Sequence, residues 1–231
     1  MENMALEKIM THKRLVSTIG DEYILPSIID YDLSSNKKDD QSFDLIDLFT
    51  CFDMYSYLLE NEGFGYRAEW KNAIQRILKN TKEYFEEKKI SLTLENMYLE
   101  LESRIKTHDN SKLQEPELTK INLFYIEYLN SEVGSPDYYR LYNLVEKNHK
   151  KNNRHHPEYH ENQVSDMNLI DLLEMLIDLR SHSLEDNLRF FGILIKIRDK
   201  YQIDETTFTL LYNTYTHYLK TFEKETTKIF K

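Results

Sequence analysis

Met167-Asn168-Leu169-Ile170-Asp171-Leu172-Leu173-Glu174-Met175-Leu176-Ile177-Asp178-Leu179-Arg180-Ser181-His182 is the stretch from which the architecture is read. Leu, Ile and Met occupy most positions. At 100° per residue, Asp171, Glu174, Asp178 and His182 (i, i+3, i+7, i+11) share one stripe about 80° wide. A helix apolar around most of its circumference belongs in a core. Its acidic stripe then either forms the one strip of solvent contact or faces a metal ion or a histidine group, because an unpaired buried carboxylate is costly.

The same 3.6-residue period recurs on both sides of this stretch. It places Trp70, Ile74, Ile77, Leu78 and Phe85 on one face, then Leu184, Leu188, Phe191 and Ile195, then Phe208, Leu211, Tyr215, Leu219 and Phe222. Asp204 is the expected N-cap of the last of these helices. Pro116 and the run Ser135-Pro136-Asp137 suit helix starts. Helices are expected over residues 42–62, 67–88, 92–107, 116–130, 136–152, 166–182, 184–201 and 204–226. With 5 Gly and 4 Pro in 231 residues, the chain has too few breakers for a strand-rich fold. The expected fold is all-α. Residues 1–40 read as an N-terminal extension, set off by the polar run Ser34 to Asp40, and residues 41–231 as one helical domain.

A formal net charge of -10 opposes broad nucleic-acid or anionic-membrane binding, both of which need a positive field. The chain shows no signal-peptide pattern and no apolar run of bilayer length. It has one cysteine, Cys51, so no internal disulfide is open to it. A cytoplasmic location is the expectation.

Three features carry chemistry. Five of the eight histidines lie between residues 149 and 182, and imidazole clusters recruit divalent metals. His108-Asp109-Asn110-Ser111-Lys112 can offer ligands to one metal or two, with Lys112 as a point charge for a phosphate; alternatively Asp109 simply caps the turn after a helix. His149-Lys150-Lys151-Asn152-Asn153-Arg154-His155-His156-Pro157-Glu158-Tyr159-His160 combines imidazoles with the cations Lys150, Lys151 and Arg154. Pro157 ends any helix there, so His155 and His156 fall where the chain turns. The plainer alternative is a basic helix end opposing the helix dipole. The acidic stripe is the third feature.

Taken in order, these features resemble the HD-domain superfamily of metal-dependent phosphohydrolases. A closer resemblance is to an uncharacterised domain-of-unknown-function family of bacterial and phage proteins. It runs over His108 to Leu113 with Pro116-Glu117-Leu118, Asn153-Arg154-His155-His156-Pro157-Glu158, and Met167 to Asp178, covering roughly residues 105–215. The resemblance implies an HD-like helical bundle with a mono- or dinuclear metal site. His108 and Asp109 take the paired ligand role, and His155 and His156 a second metal, with His149 as a further candidate. Asp178 is the preferred late ligand and Asp171 the alternative. Which divalent ion (Mn, Fe, Zn, Mg, Ni or Co) is left open.

The implied activity is hydrolysis of a phosphate ester, a nucleotide among the candidates. Lys112, Lys150, Lys151 or Arg154 would hold the phosphate, and Glu174 or Glu158 would handle protons. The superfamily carries another metal-binding histidine upstream of His-Asp, yet no histidine occurs between residues 13 and 107. Either His12 reaches across, a carboxylate such as Glu83 or Glu100 substitutes, or the site is incomplete. An incomplete site would make the chain a degenerate scaffold that binds a nucleotide or a protein partner without turnover. A di-iron oxidative centre shares the same ligand types. The N-terminal segment completes the site, covers it or makes a dimer contact.

Overall fold

The computed structural model describes residues 2–31, 42–60, 68–130 and 135–220. Every regular element among them is helical: α1 Glu2–Ile19, α2 Leu25–Ile29, α3 Leu45–Thr50, α4 Phe52–Glu60, α5 Ala68–Lys88, α6 Leu94–Thr107, α7 Glu117–Asn130, α8 Pro136–Asn152, α9 Leu169–Glu185, α10 Phe190–Tyr201 and α11 Glu205–Thr214, with short 3-10 and π turns between them. The protein is an all-α bundle. None of these helices is long and apolar enough to cross a membrane.

The stretch from Leu169 to Glu185, α9, is the central helix. Within α9, Leu169, Ile170, Leu172, Leu173, Leu176 and Ile177 are fully buried, and α1, α5, α6 and α10 all pack against it. The chain starts this helix sharply. Asn168 accepts a hydrogen bond from the Asp171 backbone N–H, and the Asp171 carboxylate accepts one back from the Asn168 N–H. This reciprocal cap satisfies two of the first-turn donors that a helix leaves unpaired. Thr93 caps α6, and Asp204 caps α11 as expected, accepting from Thr207 N–H. Pro136 begins α8.

The helix expected over residues 42–62 is divided at Cys51 into α3 and α4. The Leu184–Leu188–Phe191–Ile195 face does not form, because α9 runs on to Glu185 and the chain turns at Asn187, in the left-handed region at φ 51°. α10 therefore buries Phe190 and Leu194, while Leu188 and Phe191 stay exposed. Residues 2–19 form α1, which packs on α6, α7 and α9. The polar run 34–40 and Phe222 lie outside the described residues.

Candidate metal centre

Four elements deliver the site: α1, the turn after α6, the end of α8 with the turn that follows it, and the inward stripe of α9. α6 stops at Thr107, His108 is its C-cap, and Asp109 takes the left-handed conformation at φ 56°. Asp tolerates that region better than most side chains. Asp109 makes no side-chain cap to the next turn, so the capping alternative falls away and its carboxylate points into the protein. α1 holds this turn from outside, where the Lys13 ammonium donates to the His108 carbonyl and to Asn110 Oδ1.

His12, one residue earlier on α1, enters the same space. Its Nε2 lies 3.0 Å from Asp178 Oδ1 and 3.6 Å from Asp109 Oδ2. The two carboxylates proposed from sequence to replace an upstream histidine are engaged elsewhere: Glu83 with Lys79, and Glu100 with Tyr84 and Lys88. His12 is the imidazole that joins His108 and Asp109.

α8 contributes His149 from its last turn, and the following turn contributes His155 and His156. Asp109 Oδ1 lies 3.0 Å from His149 Nε2, 3.6 Å from His155 Nε2 and 3.7 Å from His108 Nε2. The rings of His155 and His156 sit 4.1 Å apart, centroid to centroid.

The acidic stripe of α9 is not a strip of solvent contact, since Asp171, Glu174 and Asp178 are all buried. Its members differ in what they meet. Asp178 joins the imidazoles, with Oδ1 3.4 Å from His108 Nε2 and 3.4 Å from His182 Nε2. Glu174 stands behind them. Its Oε1 lies 2.9 Å from His108 Nδ1 and 3.3 Å from His155 Nδ1, and its Oε2 pairs with Arg104.

Asp171 does not reach the group. It is held by Arg104 at 2.5 Å and Arg154 at 3.0 Å while capping α9. At 1.5 Å of rise per residue, Asp171 and Asp178 start about 10 Å apart along the axis, too far to ligate one ion.

A pattern runs through the histidines. A carboxylate only accepts hydrogen bonds, so the imidazole nitrogen facing it must donate. Glu185 thus takes the Nδ1–H of His12 at 3.1 Å, Glu174 those of His108 and His155, and Glu117 that of His149 at 3.2 Å. Each imidazole turns its Nε2 toward Asp109 or Asp178, where without an ion it carries a proton toward the carboxylate and on losing that proton could offer a lone pair to an ion.

The Nε2 atoms of His108, His149, His155 and His156, and Asp109 Oδ1, are buried without a well-aligned hydrogen bond, although His149 Nε2 lies 3.0 Å from Asp109 Oδ1. Such orphans are rare in folded proteins and call for an explanation. A divalent ion supplies one. With metal–ligand distances of about 2.1 Å, neighbouring ligand atoms sit about 3–4 Å apart, matching the spacings above. His12, His108 and Asp109 form one group able to hold an ion, His12, Asp178 and His182 a second, and His149, His155 and His156 a third. Asp109 turns Oδ2 toward the first and Oδ1 toward the third.

The charge balance fits the same picture. Burial disfavours the imidazolium of His108, but Asp109, Asp178 and Glu174 outweigh it and raise its pKa to about 10. Burial likewise opposes the charge on His12, yet Asp178 and Glu185 carry its pKa up to about 9. Asp109, Glu174 and Asp178 all stay ionised. Burial pushes against each, and His108, Arg104 and His182 respectively lead the groups that hold their pKa values well below the usual range. Burial and the neighbouring His155 depress His156 instead, leaving it neutral.

Other candidates from sequence fall elsewhere. Arg154 pairs with Asp171 and lies between the rings of Tyr84 and Tyr159. Glu158 accepts from Lys200 and Tyr201 of α10. Lys150 pairs with Glu146, and Lys151 is exposed. Lys112 is close, its ammonium 2.6 Å from Asp109 Oδ2. Sequence reasoning did not single out Arg104 or Glu185, or Glu117 as an anchor, because their roles depend on partners 32 to 173 residues away.

No curated protein and no solved structure matches the chain. Residues 60–231 match the model of a family of unknown function, DUF5662. The match takes in every ligand candidate above except His12. The chain belongs to the DUF5662 family of unknown function.

Proposed function

We propose that this protein is a metal-dependent phosphohydrolase of the HD type, acting on a phosphate ester through a mono- or dinuclear histidine–carboxylate centre. One observation carries the reading: four imidazoles, each anchored through Nδ1 by a glutamate, present Nε2 to Asp109 or Asp178. Backing of ligand histidines by carboxylates is a recurrent feature of metal sites, because it fixes tautomer and ring orientation.

His12, His108, Asp109 and Asp178 would hold one ion, and His149, His155 and His156, with the other oxygen of Asp109, a second. A bound divalent ion lowers the pKa of a coordinated water and polarises a phosphoryl oxygen. Lys112, beside Asp109, is placed to receive a phosphate oxygen as a point charge. Glu174 acts here as an anchor for two histidines. The superfamily resemblance read from the His108-Asp109 motif supports the same assignment.

The alternative is a scaffold without turnover; the approach of His12 to Asp109 supports the hydrolase reading, since no histidine occurs between residues 13 and 107. The test is hydrolysis by purified protein loaded in turn with Mn, Fe, Zn, Mg, Ni and Co. We expect at least one metal to give turnover within a panel of nucleotides and simple phosphoesters, and His108→Ala with Asp109→Ala to abolish both turnover and bound metal. Stoichiometric metal with no turnover on any member would favour the scaffold. An iron-specific absorption band with oxygen consumption would favour oxidative chemistry instead.

A further inference from the structure

A cleft of about 190 Å³ opens directly onto the metal-ligand cluster. His12, Lys112 and His182 line it, together with Lys8 and Ile9 of α1 and residues of α7 and α8. Its walls are not polar in the manner of a sugar or polyphosphate site. Ile121 and Val145 line them together with Phe124, Tyr125 and Tyr142. The Phe124 ring meets Tyr125 edge-on at 5.5 Å and Tyr142 at 6.0 Å, so the aromatic wall is braced by its own contacts. Lys8 lies 5.9 Å from the centre of the Tyr125 ring.

The charges at the cleft are as telling as its apolar walls. Lys112 is already paired with Asp109, and the remaining carboxylates lining the cleft are Glu146 and Glu185. One phosphate can be met by Lys112 and the ligand cluster. Further phosphates along a chain would meet Glu146 and Glu185, with Lys8 as a further lining cation. Apolar and aromatic walls instead favour burial of a ring or a short hydrocarbon.

We propose that this cleft selects a phosphate monoester whose organic part is a compact flat or apolar group, in preference to polyphosphates and to polyol phosphates. The proposal rests on the hydrolase reading and names its substrate class. The phosphate sits over His12 and Lys112, and the organic group lies against Phe124, Tyr125 and Tyr142.

Phosphonates test this by binding alone, since their carbon–phosphorus bond resists hydrolysis. Calorimetric titration of the metal-loaded full chain would compare phenylphosphonate, methylphosphonate and tripolyphosphate. The expected result is phenylphosphonate at least tenfold tighter than methylphosphonate, with tripolyphosphate weaker than phenylphosphonate. Tyr125→Leu and, at a more exposed position, Tyr142→Ala should each narrow the phenyl-to-methyl ratio severalfold. Equal affinity for the two phosphonates, or preference for tripolyphosphate, would overturn the substrate class and leave the hydrolase reading standing. If metal-loaded protein binds none of the three, the hydrolase reading falls with it.

Discussion

His12 and Asp178, 166 residues apart in the chain, stand 3.0 Å from each other within the histidine–carboxylate cluster. α1 therefore supplies a side chain to the site as well as a wall to the fold. His12→Ala should weaken metal binding at least tenfold while leaving helical content intact, because one ligand is lost and Asp178 keeps His108 and His182 as neighbours. Competition with a chromogenic chelator measures this. Unchanged affinity would remove His12 from the ligand set.

Glu174 offers a sharper distinction. As an anchor for His108 and His155, it sets ligand orientation; as a proton carrier it would affect turnover alone. Glu174→Gln keeps the shape but can present an N–H where an acceptor is needed. Metal affinity should fall about 10–100-fold, the usual range for groups that orient ligand histidines. Full metal occupancy with turnover abolished would assign the proton role instead.

Arg104 clamps two carboxylates of α9 at once, Asp171 and Glu174, from a partly buried position on α6. Arg104→Met removes one cation from each acid while Asp171 keeps Arg154 and Glu174 keeps His108 and His155, so the loss should fall short of the about 3–5 kcal/mol of a broken fully buried pair. Urea unfolding of metal-free protein should show this as a lowered midpoint. Arg104→Lys should recover part of the loss, since an ammonium can meet one carboxylate but lacks the planar fork. A wild-type midpoint in Arg104→Met would refute the clamp.

Without metal, stability should fall as pH rises from near neutrality toward 10. His12 and His108 have folded-state pKa values of about 9 and about 10, above the ordinary histidine value of about 6.5. Their contribution is present in full below about pH 6.5 and is lost as pH rises through the folded values. On the acid side, Asp109, Glu174 and Asp178, held well below their usual range, give stability that disappears as they protonate. Metal binding must displace the protons on His12 and His108, so affinity should rise over the interval in which the metal-free protein weakens. Thermal unfolding from pH 5 to 10, with chelator and with saturating metal, should give opposite slopes above pH 7. Parallel slopes would break the link between these histidines and the metal.

Gly20 lies where the end of α1 approaches α6. A Cβ there would come within 2.7 Å of both Cδ1 and Cγ2 of Ile105, three residues before His108. Gly20→Ala should destabilise by about 1–3 kcal/mol, the usual cost of overpacking. Adding Ile105→Ala should make the second substitution cheaper than it is alone. Strict additivity in the double-mutant cycle would deny the contact.

The chain's local pattern was enough to read α9 as a buried helix, because an apolar period reports burial wherever the partners lie. It was enough to mark His108, Asp109, His149, His155, His156 and Asp178 as candidate ligands, since those residue types bring metal chemistry with them. Local pattern could not separate Asp171 from Asp178, which share a stripe but lie two turns apart and meet arginines in one case and imidazoles in the other.

Only the tertiary structure decided which distant groups meet. It chose His12 over Glu83 and Glu100, and made Glu117, Glu174 and Glu185 the anchors of four imidazoles. The physical reason is the same throughout: a helix fixes neighbours three and four residues away, whereas ligand sets and their supports come from packing between helices. Periodicity records which face turns inward, and packing decides what that face finds.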